Sequence, residues 1–207
     1  MPVDDKALAS SAAEALRRVV DRPRRDGLTG LFDNRTLHRV LTGKIRTANR
    51  RGDDIGLLFV DLDRFKRVND RHGHVTGSRI LSQVARLIGV AARQAGGFAA
   101  RYGGDEFVVV LPGVDLDLSL HHAESLRASL EATILAGGPP PRRRPLVHVT
   151  CTIGAASLRQ QAGDDGDFAP ERAATRMLQQ ADNAMYTAKH AGRNRVAAAD
   201  ASATGVA

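Results

Sequence analysis

The chain has 207 residues, 43% of them hydrophobic, and a formal net charge of +7. This length and apolar content fit one globular domain with a sizeable core and short flanks. A single cysteine, Cys151, excludes an internal disulfide, and its apolar, β-branched surroundings favour a core residue over a nucleophile. The sequence shows no apolar run of membrane-spanning length and no signal core at the N-terminus, so we expect a cytoplasmic protein.

The positive charge favours anionic partners, such as nucleotides, nucleic acid or a membrane surface. Much of it is concentrated in two arginine-rich stretches, 22–25 and 142–144, which we interpret as solvated loops. Aromatic residues make up only 4% of the chain and Trp is absent, so a stacking surface for single-stranded nucleic acid is poorly supported. We expect neither DNA nor a membrane among the partners.

Apolar residues at helical spacing predict a first helix from Asp5 to Val20, which could form a dimer contact or pack on this chain's own domain. A turn-like segment over 26–31 and a second helix from Asn34 to Arg50 follow. The continuous apolar run from Ile55 to Val60 is typical of a strand buried on both faces, and it ends at Asp61-Leu62-Asp63.

The rest of the chain alternates strand and helix patterns. We expect a helical turn near Phe65 to Asp70, a helix from Ser78 to Arg93, hairpin strands at Phe98–Ala100 and Phe107–Leu111, a helix from Asp117 to Leu135, a loop from Gly137 to Pro145, strand-forming residues from Leu146 to Ser157, a loop from Gln160 to Asp167, a helix from Pro170 to Ala191, and a closing strand from Arg195 to Ala199.

This order indicates an α+β domain, an α/β sandwich with a mixed β-sheet. A β-α-β-β-α-β core with helices on one face fits the order of elements. We expect an N-terminal helix and linker over 1–25, the main domain over 26–199 and a disordered tail over 200–207.

The hairpin turn is unusual because it contains two adjacent carboxylates, Asp105 and Glu106, after Gly103-Gly104. A turn needs glycine for positive φ, but it does not need two acids side by side. Like charges so close repel each other unless a cation neutralises them. A divalent-metal site and a solvated acidic turn are the two interpretations, and the second would be preferred for an isolated Gly-Gly-Asp-Glu.

Carboxylates at the end of the buried strand shift that preference. If the strand lies beside the hairpin, Asp61 and the hairpin acids converge, and their oxygens suit Mg²⁺ that also holds phosphate. Two metals could then activate a hydroxyl and stabilise a leaving pyrophosphate. Lys66 follows the strand at a helix N-terminus, and Lys189 and Arg193 lie four residues apart, one helical turn, at a helix end. A simple contact with the helix dipole also explains that last pair.

Five motifs in register resemble the GGDEF family, the diguanylate cyclases, over roughly 26–196. They are Asp26-Gly27-Leu28-Thr29-Gly30-Leu31, the run Asp61-Leu62-Asp63-Arg64-Phe65-Lys66-Arg67-Val68-Asn69-Asp70, Gly73-His74, the signature Gly103-Gly104-Asp105-Glu106-Phe107, and Ala181-Asp182-Asn183-Ala184-Met185-Tyr186-Thr187-Ala188-Lys189 with Gly192-Arg193-Asn194.

The resemblance implies a palm-like sheet, GTP bound by each subunit, and a homodimer in which each 3′-hydroxyl attacks the partner's α-phosphate. The products would be cyclic di-GMP and pyrophosphate, with Mg²⁺ or Mn²⁺ as cofactor. The expected catalytic residues are Asp105, Glu106 and Lys66. The family pattern assigns metal binding to Asp61, the Leu62 carbonyl and Asp105, and substrate binding to Phe65, Lys66, Asn69, Ser78, Lys189 and Arg193, with Asn69 at the guanine edge.

Ser78 departs from the family, which usually has Asp at this position. A carboxylate accepts from guanine N1–H and the 2-amino group, whereas a hydroxyl can also donate to the N1 acceptor of adenine. Losing one contact should weaken discrimination between the bases. Ser at this position resembles a GGDEF subset that makes mixed cyclic AMP-GMP from ATP and GTP. We favour cyclic di-GMP synthesis because Asn69 is retained.

Three other departures concern regulation and entry. Gln94 to Gly97 occupy the usual Arg-x-x-Asp product-inhibition site, so feedback inhibition through that site is not expected. Asp33 replaces the Asn of an Asn-Arg pair, which changes only a helix cap. The residues before Asp26 are too few for a sensor domain, so we expect dimerisation to come from the N-terminal helix, a separate sensor protein or the substrate. A non-catalytic nucleotide-binding regulator is the third hypothesis, and the intact signature makes it the weakest.

Overall fold

The computed structural model of the chain describes residues 23–139, 144–159 and 168–200. The predicted first helix, the loop over 160–167 and the tail over 201–207 lie outside the described residues. The described elements are, in chain order, α1 (Asn34–Arg51), β1 (Ile55–Leu62), α2 (Phe65–His72), α3 (His74–Gln94), β2 (Phe98–Gly103), β3 (Glu106–Pro112), α4 (Leu116–Glu131), β4 (Ile134–Ala136), β5 (Leu146–His148), β6 (Cys151–Ser157), α5 (Pro170–His190) and β7 (Val196–Ala198).

The main sheet has five strands in the order β2-β3-β1-β6-β7. The central strand β1 pairs antiparallel with both β3 and β6, and β6 pairs parallel with β7, so the sheet is mixed. Every residue of β1 is buried, as its continuous apolar run predicts. The predicted α+β class with a mixed sheet is confirmed.

Helices cover both faces of this sheet, not one face as the β-α-β-β-α-β core alone suggests. The two helices of that core, α3 and α4, pack with Leu58 and Val60 on one face. On the other face, α1 and α5 pack with Leu57 and Phe59. Because successive residues of a strand point to opposite faces, an apolar run of this length needs a cover on each side.

Two predicted elements have different bounds in the structure. The predicted helix from Asp117 to Leu135 ends at Glu131, and Leu135 instead lies in β4, opposite Val147 of β5. The β-branched pair Thr133-Ile134 favours this switch from helix to strand. The predicted stretch from Leu146 to Ser157 is two strands, because β5 pairs with β4 in a separate two-stranded sheet.

Local capping sets the helix ends near the predicted positions. Asp33 caps α1 by accepting a 2.7 Å hydrogen bond from the Thr36 backbone N–H, and hydrogen bonds with the Thr36 side chain and backbone hold the pKa of Asp33 below its usual value. Gly52 ends α1 in the left-handed conformation, and Pro170 begins α5. Gly73 separates α2 from α3, so α3 starts at His74 and not at Ser78. Cys151 is buried, as predicted.

The two edges of the main sheet differ. Beside β2, the backbone of Phe32 accepts from Arg101 N–H at 2.8 Å and donates to the Ala99 carbonyl at 3.3 Å. At the other edge, β7 is only 3 residues long.

None of the described helices has the length and apolar character needed to cross a membrane.

Gly154 sets how closely α5 approaches the sheet. It lies in β6, and a Cβ at this position would collide with the Ala181 carbonyl and the Met185 N–H of α5. Both of those atoms belong to the helix backbone, so a rotamer change cannot relieve the contact. Glycine at 154 therefore permits close packing of α5 on the sheet. This packing places the last turn of α5 near the ends of the strands.

Replacing Gly154 with Ala should lower the free energy of unfolding by about 1–3 kcal/mol, because the added methyl group must displace the α5 backbone. Urea unfolding followed by circular dichroism measures this change. Gly43→Ala is the matched control, since Gly43 is exposed in α1 and its added Cβ meets nothing. That variant should gain roughly 1 kcal/mol from helix propensity. Equal changes in the free energy of unfolding in the two variants would contradict the close approach of α5 to Gly154.

Candidate active site

The strand pairing brings the predicted acids together at one end of the sheet. Asp61 lies opposite Glu106 in the β1–β3 ladder, and Leu62 N–H donates to the Asp105 carbonyl at 3.4 Å. Asp105 lies in the short turn between β2 and β3, where Gly104 has φ 45°. The strand end and the hairpin tip are therefore neighbours, which is the arrangement that a shared cation site needs.

Arg101 anchors the hairpin tip, and the sequence analysis did not single it out. Its guanidinium donates to the Gly104 carbonyl at 3.0 and 2.7 Å and pairs with the Asp26 carboxylate at 3.1 Å. Burial would raise the pKa of Asp26, but hydrogen bonds from Thr29 and the Arg101 charge outweigh it and hold that pKa below its usual value. Arg101 thus links the turn that contains Asp26 to the acidic hairpin turn. In the sequence, only its position two residues before Gly103 could have indicated this role.

Asp61 is buried at the end of β1 and pairs with Lys189 of α5 at 2.7 Å. Burial raises the pKa of Asp61; Lys189 opposes this rise, and Asp105 and Asp63 add to it. Burial, together with repulsion from Asp61 and the other carboxylates, also raises the pKa of Glu106. This end of the sheet therefore carries negative charge that Lys189 only partly balances.

Asp63 lies near Asp61 at the same end of the sheet, but it does not line the cavity at the hairpin tip, and its carboxylate has a structural role. Its carboxylate accepts from the Thr150 and Thr152 hydroxyls at 2.7 and 2.6 Å and from the Asn194 backbone N–H at 3.0 Å. Three such donors occupy most of the acceptor positions of a carboxylate. Asp63 therefore ties β6 and the loop after α5 to the end of β1.

A cavity of about 280 Å³ lies next to the hairpin tip. The first turn of α2 borders this cavity, and Arg64, which precedes it with φ 56°, does not cap it with its side chain. The N–H groups at the start of a helix can donate to an anion. Five of the predicted site residues line the cavity, namely Phe65, Lys66, Asn69, Ser78 and Asp105, with Leu28, His74, Gly77, Leu81, Arg101 and Gly104.

Gly77 lets Asn69 reach the floor of this cavity. A Cβ at Gly77 would collide with the amide oxygen of the Asn69 side chain. Asn69 of α2 and Ser78 of α3 therefore line the same cavity from two helices that meet at Gly73. Two polar side chains so placed can read the hydrogen-bonding edge of a base.

Arg193 is not on the same helix as Lys189, so the predicted one-turn relation is wrong. The helix ends at His190, and Gly192 with φ 121° turns the chain before Arg193, which has φ 65°. Arg193 is exposed and does not line the cavity, while Lys189 contacts Asp61. Lys189 therefore contacts the acidic group from a helix, whereas Arg193 lies on the loop that follows this helix.

The donor set suits a hard divalent cation. Asp61, the Leu62 carbonyl and Asp105 offer oxygen ligands at the acidic end of the sheet, and their charge is incompletely compensated. In the described parts of the chain, no three His, Cys, Asp or Glu side chains come together as a metal-binding group.

A larger cleft of about 570 Å³ lies between α3 and α4 on one face of the sheet. Its floor is apolar, with Leu58, Val109 and Leu126, and none of the site acids lines it. Size alone would favour this cleft, but the charged groups capable of chemistry line the smaller cavity.

The family model described as "Diguanylate cyclase, GGDEF domain" matches residues 24–195. The chain belongs to this family, which the five motifs indicated.

Curated relatives agree with this assignment. The chain is 33% identical over 196 residues to diguanylate cyclase DgcP of Pseudomonas aeruginosa, covering 95% of this chain and 26% of that protein. It is 35% identical over 173 residues to diguanylate cyclase DosC of Escherichia coli, covering 83% of this chain and 34% of that protein. The chain thus spans about a quarter to a third of the length of these relatives.

Among solved structures, the fold is similar to the GGDEF domain of DgcB from Caulobacter crescentus in complex with c-di-GMP. The TM-score is 0.73 at 31% identity, over 85% of this chain and 93% of that chain.

Replacing Glu106 with Gln should raise the melting temperature of the metal-free protein by about 2–4 °C near neutral pH. The pKa of Glu106 is raised in the folded state, so wild-type stability is lost as the pH rises through that pKa. The gain should shrink as the pH falls towards the ordinary value of 4.5, where a proton neutralises wild-type Glu106. Differential scanning calorimetry across this pH range measures both effects.

Glu131→Gln is the control of opposite sign. Hydrogen bonds from Arg127 and Asn194 lower the pKa of Glu131, so this variant should melt below wild type near neutral pH. If the melting temperature rises in both variants, or in neither, the acidic environment of Glu106 does not determine the stability change.

Proposed function

We propose that this protein is a diguanylate cyclase that joins two GTP molecules into cyclic di-GMP and releases pyrophosphate. The observation that carries the proposal is the β1–β3 pairing, which sets Asp61 opposite Glu106 and joins Leu62 to Asp105 beside a cavity suited to a nucleotide. Family membership supports the reaction class.

In this proposal the cavity holds one nucleotide per chain. Asn69 and Ser78 face the base, and Lys66 and the first N–H groups of α2 bind phosphate. Lys189 and Arg193 supply further positive charge from α5 and the loop after it. These groups orient the α-phosphate towards the hydroxyl of a second nucleotide, and such positioning lowers the barrier to phosphoryl transfer.

Asp105 acts as the base that accepts the 3′-hydroxyl proton, because it lines the cavity at the hairpin tip. The 3′-oxygen forms a bond to the α-phosphorus of the other nucleotide, the bond from that phosphorus to the bridging oxygen breaks, and pyrophosphate leaves. Glu106 supports the acidic centre from β3. Asp61, the Leu62 carbonyl and Asp105 would hold Mg²⁺ or Mn²⁺, which supplies charge stabilisation for the transferred phosphoryl group.

The reaction requires two chains, because each cavity takes one nucleotide and the product contains two. We therefore propose a homodimer with facing cavities, GTP as the substrate and the cytoplasm, where GTP is available, as the location. A separate sensor protein is proposed as one source of dimerisation.

Asp105→Asn should lower cyclic di-GMP formation at least about 100-fold, because it removes a base and a metal ligand together. The assay incubates protein with Mg²⁺ and GTP and identifies products by mass spectrometry. Asp53→Asn, in the exposed loop after α1, is the matched control and should keep wild-type turnover. Specific activity should rise with protein concentration if two chains are needed. No wild-type turnover at high protein concentration, with nucleotide bound, would favour a non-catalytic regulator.

A relaxed-specificity cyclase is a second candidate because Ser78 lines the cavity beside Asn69. A hydroxyl can accept or donate, so it tolerates both the N1–H of guanine and the N1 acceptor of adenine. With serine at position 78, the cyclase would form mixed cyclic AMP-GMP when ATP and GTP are both present.

Ser78→Asp should increase the ratio of cyclic di-GMP to mixed product by roughly tenfold, since a charged acceptor favours guanine by about 1.5 kcal/mol or more. The measurement is the product ratio from equal concentrations of ATP and GTP. Ser125→Asp adds the same charge on exposed α4, away from the cavity, and should leave the ratio unchanged. An unchanged ratio in Ser78→Asp would reject a role for Ser78 in base choice.

A further inference from the structure

We propose that Arg127 of α4 is a positioning residue for triphosphate binding, acting through Asn194 on the loop over 192–194. This inference rests on the proposed function, because that loop carries Arg193 and directly follows the helix that carries Lys189. Neither the sequence motifs nor the lining of the cavity draws attention to Arg127, which comes from a helix on the opposite face of the sheet from α5.

The loop over 192–194 adopts a costly backbone conformation. Gly192, Arg193 and Asn194 have φ of 121°, 65° and 45° in succession. Glycine and asparagine tolerate positive φ, but an arginine in this region costs on the order of 1 kcal/mol. Such a conformation persists only where neighbouring groups enforce it.

Asn194 is the residue through which those groups act. Its side-chain oxygen accepts from Arg127 at 2.9 Å, its amide donates to Glu131 at 2.7 Å, and its backbone N–H donates to Asp63 at 3.0 Å. Two of these bonds come from α4 and the third from the end of β1. Asn194 is thus held on both its side chain and its backbone, which fixes the residue directly after Arg193.

Arg127 is itself rigidly placed. Its side chain is only 12% exposed, and its guanidinium bonds Glu124 at 2.6 Å and Glu131 at 2.6 Å. Planar fork-like pairing of this kind fixes the orientation of the guanidinium, including the Nη1–H that donates to Asn194. Arg127 therefore provides a fixed point on α4 from which the loop is held.

The same network reaches the acidic end of the sheet. Asp63 lies two residues after Asp61 on the chain, and it also binds Thr152, the residue opposite Asp61 in β6. The loop that presents Arg193 and the strand end that presents Asp61 are therefore joined through one carboxylate. Loosening the loop should displace Arg193, to which the proposed function gives a phosphate-binding role, while the residues proposed to face the base stay in place.

The test compares the affinities of a GTP analogue with a methylene bridge between the α- and β-phosphates and of GMP, by calorimetry in Mg²⁺. In wild type the analogue should bind more tightly than GMP. Arg127→Met should lower the analogue-to-GMP affinity ratio about tenfold. Asn194→Gly, which keeps the positive φ accessible, should lower it similarly without disturbing the α4 ion pairs. In turnover assays, the KM for GTP should rise while kcat changes less than about threefold.

Arg86→Met is the matched control, because Arg86 is exposed on α3 and lines only the larger cleft. It should leave the affinity ratio unchanged. An unchanged ratio in folded Arg127→Met and Asn194→Gly would overturn the inference and leave the cyclase proposal standing. A wild-type protein that binds the analogue no better than GMP would overturn both.

Discussion

The register between β1 and β3 is the constraint on which the rest of the site depends. It sets Asp61 opposite Glu106, and a shift by one residue would turn Asp61 to the other face of the sheet. The apolar pattern alone cannot fix this register, because β1 is apolar on both faces. The two-residue turn at Gly104 sets how β3 lies against β2, and two glycines determine how closely helices approach the central strands. Gly56 leaves room for Ser119 of α4, and Gly154 leaves room for the backbone of α5.

This arrangement concentrates negative charge where the strands end. Burial raises the pKa values of Asp61 and Glu106, and Lys189 is the cation that contacts Asp61. Charge held so close together costs stability in the absence of a counterion, which is typical of sites built to bind cations and phosphates. Burial of apolar side chains in the two hydrophobic clusters, one on each face of the sheet, offsets this loss of stability.

The sequence predicted those parts of the fold that depend on local pattern. The positions of β1, α1 and the hairpin follow from apolar periodicity and glycine, whereas the residues expected around the cavity came from the resemblance to the GGDEF family. Beyond the meeting of Asp61 with the hairpin acids, the sequence did not predict which distant segments contact each other. Arg101 meets Asp26 across 75 residues, and Asn194 meets Asp63 across 131 residues. Nothing in either local pattern identifies the partner, so the roles of Arg101 and Asp63 needed the structure.

The edges of the main sheet determine how two copies can approach each other. Phe32 already pairs with the outer side of β2, and β7 offers only 3 residues at the other side. Strand-to-strand addition, the simplest route by which β-proteins join, therefore has little free backbone to use. Within the described part of the chain, the helix surfaces and the ends of the strands are therefore the more accessible surfaces for contact with another protein. The end that carries Asp61 and Asp105 is one of them, so the fold limits open-ended strand pairing without covering the site.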